Sequence, residues 1–202
     1  MKIIKYEKKN NGNYQIFFDN DQKIIINEDI ILKYKLLYKE EIDEYFLEDI
    51  KKDNNNHDIY SKCVKYIGVR LRSINEMKEY MERKQVSSEL IEETINKLKK
   101  NKLLNDDVFT KAFINDKLNF TTMGPYRIEM ELKKHNIDNH IITKYISEID
   151  ENILKEKINK KITKLIKSNR NKSNLKNRIY NNLINLGYSN SFILDNLDKY
   201  DL

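Results

Sequence analysis

A mainly α-helical fold, an elongated array of three tandem three-helix repeats preceded by a small N-terminal β-meander plus helices, follows from three features of this chain. First, residues 73–95, 124–146 and 175–197 align at a constant offset of 51. Met77, Ile128 and Ile179 fall in register, as do Met81, Leu132 and Leu183; Leu90, Ile141 and Phe192; and Ile95, Ile146 and Leu197. Second, one Pro and four Gly in 202 residues leave helical periodicity almost uninterrupted. Third, only the first stretch of chain is built from short β-branched and aromatic runs. Matching apolar positions at a fixed period mark one unit used three times, and such arrays offer extended surfaces to large partners.

The elements follow in order. Residues 2–8 (with Ile3, Ile4 and Tyr6), 14–18 and 23–26 are separated by the turn-forming Asn10-Asn11-Gly12-Asn13 and Asp19-Asn20-Asp21-Gln22, which predicts a three-stranded antiparallel meander. Asn27-Glu28-Asp29 supplies an N-cap and first-turn acids for a helix to about Tyr38, and a second helix spans about Glu41 to Lys51. Asp53-Asn54-Asn55-Asn56-His57 carries no apolar anchor and reads as a linker, closing a segment 1–53.

Repeat 1 (58–103) opens with a helix bearing Tyr60, Val64, Ile67 and Leu71. Ser73-Ile74-Asn75-Glu76 is a capping box, and Ser87 starts a third helix to about Asn101. In repeat 2 (104–150), Asn105-Asp106-Asp107 starts a helix carrying Phe109, Phe113 and Leu118, Gly124-Pro125 starts the next, and Asp138 the last. Repeat 3 (151–202) has a long first helix, about Glu151 to Ser168, with Leu154, Ile158, Ile162, Leu165 and Ile166 on one face and Lys157, Lys160, Lys161, Lys164 and Lys167 on the other. Residues 169–173 break it, a second helix runs to about Leu186, Gly187 suits a left-handed stop, and Ser189 aligns with Ser87 and Asp138 as a cap.

Charge is unevenly placed. The net value is +6, yet residues 155–178 hold ten Lys/Arg against Glu156 alone. The rest of the chain, with 28 basic and 31 acidic residues, sums to −3. A local positive stripe implies a polyanionic or acidic partner. The charged start Met1-Lys-Ile-Ile-Lys5 argues against a signal peptide, and no apolar run reaches membrane-spanning length. A single cysteine, Cys63, forbids an internal disulfide and fits a reducing cytoplasm.

Catalytic, cofactor and metal chemistry is not expected. Gly12, Gly68, Gly124 and Gly187 are isolated, so no phosphate-cradling loop is present. His57, His135 and His140 stand in no metal-ligand spacing and read as surface side chains. Cys63 beside Val64 reads as packing, Asp106 and Asp107 as a helix start, and Tyr126 and Tyr180 as half-buried repeat contacts.

Several motifs resemble the RecX family of RecA regulators. They are Arg70-Leu-Arg-Ser73 with Glu76-Met77, Leu103-Leu-Asn-Asp-Asp-Val-Phe109 with Ala112-Phe113, Gly124-Pro-Tyr-Arg-Ile128 with Glu131-Leu132, and Leu186-Gly-Tyr-Ser189. Asn27–Tyr34 is similar to the N-terminal extension of members from low-GC Gram-positive bacteria. The resemblance implies tandem three-helix repeats and no enzymatic activity. It also implies binding in the helical groove of the RecA–ssDNA filament, with inhibition of ATP hydrolysis, strand exchange and co-protease action.

On this reading the filament-contacting set is Arg70, Arg72, Arg127, Lys157, Lys160, Lys161, Lys164, Lys167, Arg170, Lys172, Lys176 and Arg178. The partner is the RecA filament, with weak contact to ssDNA or dsDNA allowed; no membrane is involved and the chain is a monomer. The competing interpretation is a direct nucleic-acid binder using the basic third repeat. A solvated helix face for the lysines, and pairing of Arg70, Arg72 and Arg127 with Glu76, Glu79 or Glu131, are the structural alternatives.

Overall fold

The computed structural model describes residues 1–10, 12–169 and 174–200. Its chain divides into two compact units, residues 1–70 with 81–98, and residues 71–80 with 99–202.

In the first unit, β1 (Ile3–Lys8), β2 (Asn13–Phe18) and β3 (Lys23–Asn27) form an antiparallel sheet in that order, with Tyr6 opposite Ile16 and Ile16 opposite Ile24. This is the expected meander; Asn11, in its first turn, lies outside the described residues. Alternation puts Ile16, Phe18 and Ile26 inward, onto Ile30, Ile31, Leu36, Leu47 and Ile50. Asn27 caps α1 (Glu28–Lys33), its side chain accepting from the Asp29 amide at 3.0 Å.

The helix expected to run to Tyr38 stops sooner. Lys35 turns left-handed at φ 50°, and a short 3-10 turn, Leu36–Tyr38, follows. That reversal buries Leu36, whose carbonyl accepts the Tyr6 hydroxyl at 2.8 Å.

The larger difference is α2 (Glu44–Val69), 26 residues capped by Asp43. It replaces a second helix, a linker and the first repeat helix with one element. Residues 53–57 are a polar turn of it, docked through Asp53, Asn54 and His57 onto β3 and α1, with Asn55 exposed. The Asn54 side chain accepts from the Asn27 amide at 2.8 Å and donates to the Ile25 carbonyl at 3.3 Å. Asp53 accepts from the Tyr34 hydroxyl at 2.7 Å and from Lys33, and His57 meets Asp29 at 3.1 Å. Cys63 is buried, which pushes its thiol up to about 11, as fits a packing residue.

Helices α3 (Ile74–Glu82) and α4 (Ser88–Lys100) complete the first repeat. The capping box forms as read: the Glu76 amide donates to Ser73 Oγ at 3.1 Å, and the Ser73 amide to Glu76 Oε2 at 3.3 Å. In the second unit α5 (Asp106–Phe120), α6 (Pro125–Lys134) and α7 (Asn139–Ser147) pack on one another. So do α8 (Glu151–Asn169), α9 (Leu175–Asn185) and α10 (Asn190–Leu197). One apolar core runs through both modules, from Phe109 and Ile114 through Ile128, Leu132 and Ile158 to Ile193 and Leu197. Each module alone would leave part of that core in water. The expected break after α8 lies, beyond Asn169, outside the described residues.

The 51-residue register is physical. Met77, Ile128 and Ile179 are all sealed from solvent, as are Met81, Leu132 and Leu183. Gln85, Asn136 and Gly187, at the same repeat position, all adopt positive φ (58°, 53° and 88°), and Ser87, Asp138 and Ser189 then cap the next helix.

The start of one repeat's second helix also docks on the end of the next repeat's second helix. Ser73 Oγ donates to the His135 carbonyl at 3.3 Å; one repeat on, the Gly124 amide donates to the Leu186 carbonyl at 2.7 Å and the Tyr126 amide to the Gly187 carbonyl at 3.1 Å. Orphan donors of one helix thereby meet orphan acceptors of another. A Cβ on Gly124 would lie 2.5 Å from the Gly187 oxygen, and one on Gly187 2.5 Å from the Arg127 nitrogen, so this joint requires glycine on both sides.

Candidate interaction surface

The basic face is carried by α8, whose apolar stripe (Leu154, Ile158, Ile162) anchors it in the core and fixes which lysines point outward. Lys160, Lys164 and Lys167, at i, i+4 and i+7, line an open groove of 490 Å³ with the hydroxyl-bearing Thr163 and Ser168. Lys160 is paired with Glu156 one turn back. Lys164 and Lys167 are exposed and, like Lys161, form no ion pair among the described residues.

Lys157 does not belong with them. Its ammonium turns inward, donating to the Leu118 carbonyl and to the Thr121 carbonyl at 2.6 Å, at the C-terminal end of α5. The last carbonyls of a helix lack intrahelical donors and carry the negative end of its dipole, so a lysine from the neighbouring helix closes them. Burial, and then the nearby Lys160 charge, hold that ammonium below the ordinary lysine range. In sequence Lys157 has the same spacing as its neighbours; only the approach of α5 separates it.

The acids that seemed missing are partly supplied from outside the stripe. Lys155 meets Glu151 at 2.9 Å, and Lys176 meets Asp198 of α10 at 3.7 Å. Arg178 is exposed without an ion pair among the described residues, whereas Arg170 and Lys172 lie outside them.

Of the remaining arginines, Arg127 Nη1 donates to the Asn185 carbonyl at 3.0 Å, so it locks the glycine joint rather than pairing with Glu131. Arg70 ends α2 in extended conformation with an exposed side chain, and Arg72 is half-buried. The structure therefore brings Lys160, Lys164 and Lys167 together and leaves Arg127 and Lys157 in structural roles.

Other readings are also resolved. Tyr126 is 63% exposed rather than packed, and the Tyr180 hydroxyl donates to Asn190. His135 is not a plain surface residue. Its ring edges onto Phe109 and Phe113 (centroids 5.3 and 5.2 Å), with Nδ1 3.3 Å from Glu76. Asp106 accepts from the Ile74 amide at 2.8 Å, capping α3 from another helix, and burial raises its pKa. Asp107 accepts the Tyr145 hydroxyl at 2.7 Å, which with Lys144 lowers its pKa. Among the described residues no group of acids, His or Cys could hold a metal ion, and no helix is long and apolar enough to cross a membrane.

Tandem three-helix modules joined through their second helices, with a basic face on one of them, define a helical-repeat protein built to present surface. The comparisons identify the repeat. Residues 60–98 match the family model of the first RecX three-helix domain and residues 105–146 that of the second. The chain thus carries two RecX three-helix domains in tandem.

It is 27% identical over 197 residues to the regulatory protein RecX of Oceanobacillus iheyensis, and 29% over 194 residues to that of Listeria welshimeri. In each case the match takes in 94% of this chain and 72% of the relative. Its fold is that of a crystal structure of regulatory protein RecX (TM-score 0.81, 22% identity, 98% of both chains). It is also that of RecX from Lactobacillus salivarius (TM-score 0.71, 24% identity, 74% of this chain and 98% of that one). The relatives are regulatory proteins.

Proposed function

We propose that the chain regulates the RecA recombinase by binding the RecA–ssDNA filament and lowering its ATPase, strand-exchange and co-protease activities. The observation that carries this reading is the pair of RecX three-helix domains repeated in register. An array of repeats that contacts several neighbouring subunits at once favours whichever filament geometry it fits, in proportion to its differential affinity. Such an action needs no catalytic centre. The chain would act in the cytoplasm, where the filament forms, as a monomer.

The row Lys160, Lys164 and Lys167 supports an acidic or phosphate-rich contact on that filament, and it is also what a direct nucleic-acid binder would use. Co-sedimentation separates the two. The chain should pellet with pre-formed RecA–ssDNA filaments at both low and near-physiological salt, and with naked ssDNA only weakly and only at low salt. Equal pelleting with naked ssDNA at both salt concentrations would replace the regulator with a DNA-binding protein.

A further inference from the structure

The start of α6, the junction of α7 with α8 and the turn between α9 and α10 line a half-open cavity of 550 Å³, within the size range of sites that hold a small ligand or one large side chain. Ile146 and Ile149 at the end of α7, Leu154 on α8 and Phe192 on α10 make its apolar wall. Tyr188 stacks on Phe192 (centroids 6.1 Å, planes 9° apart). Its hydroxyl is buried without a hydrogen-bond partner among the described residues, and burial pushes it up to about 12. Tyr126, largely exposed, presents a second ring.

Among the described residues, the only ionised side chains in the lining are two carboxylates, Glu129 and Glu151. Each places Oε1 on the lysine one turn along its own helix, Lys133 at 2.6 Å and Lys155 at 2.9 Å. Their Oε2 atoms have no partner among the described residues. Solvated i,i+4 pairs of this kind bind weakly and re-partner readily. In a chain of net charge +6, an apolar cavity whose own charges are both negative is complementary to a cation on an apolar stem.

We infer that this cavity receives an arginine side chain from a partner polypeptide. The methylene stem lies against Ile149 and Leu154, the planar guanidinium stacks on the Tyr126 ring, and its donors fork to the free oxygens of Glu129 and Glu151. Arginine suits the site better than lysine, because a planar group with five donors can satisfy two carboxylates and a ring face together. An acidic side chain is repelled, and a purely apolar one leaves both Oε2 atoms unmatched. This deepens the filament-binding reading and rests on it only for the identity of the partner.

The test uses the intact isotope-labelled chain, titrated with N-acetyl-arginine amide and with its neutral isostere, N-acetyl-citrulline amide. Arginine should give saturable amide shifts confined to Glu129, Ile149, Gly187 and Ser189 and their neighbours. Citrulline, and arginine against the Glu129→Gln/Glu151→Gln variant, should bind roughly tenfold more weakly or not at all. Tyr126→Ala, which removes a largely exposed ring, should weaken arginine binding while leaving the spectrum's dispersion intact. Equal binding of citrulline, unchanged binding by the glutamine variant, shifts scattered over the acidic surface, or no shifts would each overturn the inference. Inhibition of RecA by the unmodified chain, measured separately, would stand or fall independently of that result.

Discussion

At the scale of single residues, Gly124 and Gly187 show how one missing atom sets a joint. With any Cβ at either position the α6 start and the α9 end must separate, and three hydrogen bonds lengthen together. Gly124→Ala should therefore cost about 1–3 kcal/mol of unfolding free energy. Chemical denaturation checks this, and an unchanged midpoint would mean the two backbones are not in contact.

The neighbouring aspartates make a second, sharper prediction. Asp107 has its folded pKa lowered, so its support is present above the unfolded carboxylate value, about 4, and is lost as pH falls through the depressed folded value. Asp106 has its folded pKa raised by burial, so the folded state takes up the proton first. Its contribution is full below the unfolded value and fades as pH rises through the folded one. Asp107→Asn should flatten the loss of stability between about pH 5 and pH 3, and Asp106→Asn should steepen it. Denaturant midpoints across that range decide the matter, and equal slopes in both variants would refute the opposed environments.

The helix start was legible in Asn105-Asp106-Asp107; the opposite surroundings of its two acids were not. They depend on α3 and Tyr145, 32 and 38 residues away in the chain.

At the scale of elements, periodicity found nearly every helix and strand but misread residues 53–57. A search for apolar anchors sees none there, because this turn of α2 docks through amide and carboxylate groups onto β3 and α1. Asn54→Ala should cost about 1–2 kcal/mol, since it strips a partner from a half-buried Asn27 amide, while Asn55→Ala on the exposed side should be neutral or slightly stabilising. If both were neutral, the polar run would be a linker after all.

The repeated turn behaves in the opposite way. Gly187 uses a residue that tolerates positive φ, whereas Gln85 occupies the equivalent position at φ 58° with a side chain. Gln85→Gly should thus raise stability by up to about 1 kcal/mol, less whatever entropy the freer unfolded chain regains. A thermal midpoint below that of the parent would show that Gln85 makes contacts worth more than its strain.

At the scale of the molecule, one helical unit recurs at 51 residues, and its inward register survives although few of the aligned side chains are identical. That register is why the fold could be read early: burial constrains apolar positions tightly. The outward face is constrained far less, and the lysine stripe shows the consequence. Spacing alone put Lys157 beside Lys160 and Lys164, but packing turned it into a plug for the end of α5.

The proposed contact face is Lys160, Lys164 and Lys167, and reversing all three to Glu should raise the concentration needed for half-inhibition of RecA at least about tenfold at low salt, with the gap narrowing as salt screens the charges. Helicity should be unchanged, since these side chains leave the core untouched. Unaltered inhibition would move the contact elsewhere on the repeats.

What must hold beneath all of this is that the chain acts on a polymer of another protein. The ssDNA-dependent ATPase of the cognate RecA, followed while this protein is added from well below to equimolar amounts, reports on that property. The rate should fall steeply before the two proteins reach equal concentration. A rate that stays constant throughout would contradict the proposed role outright.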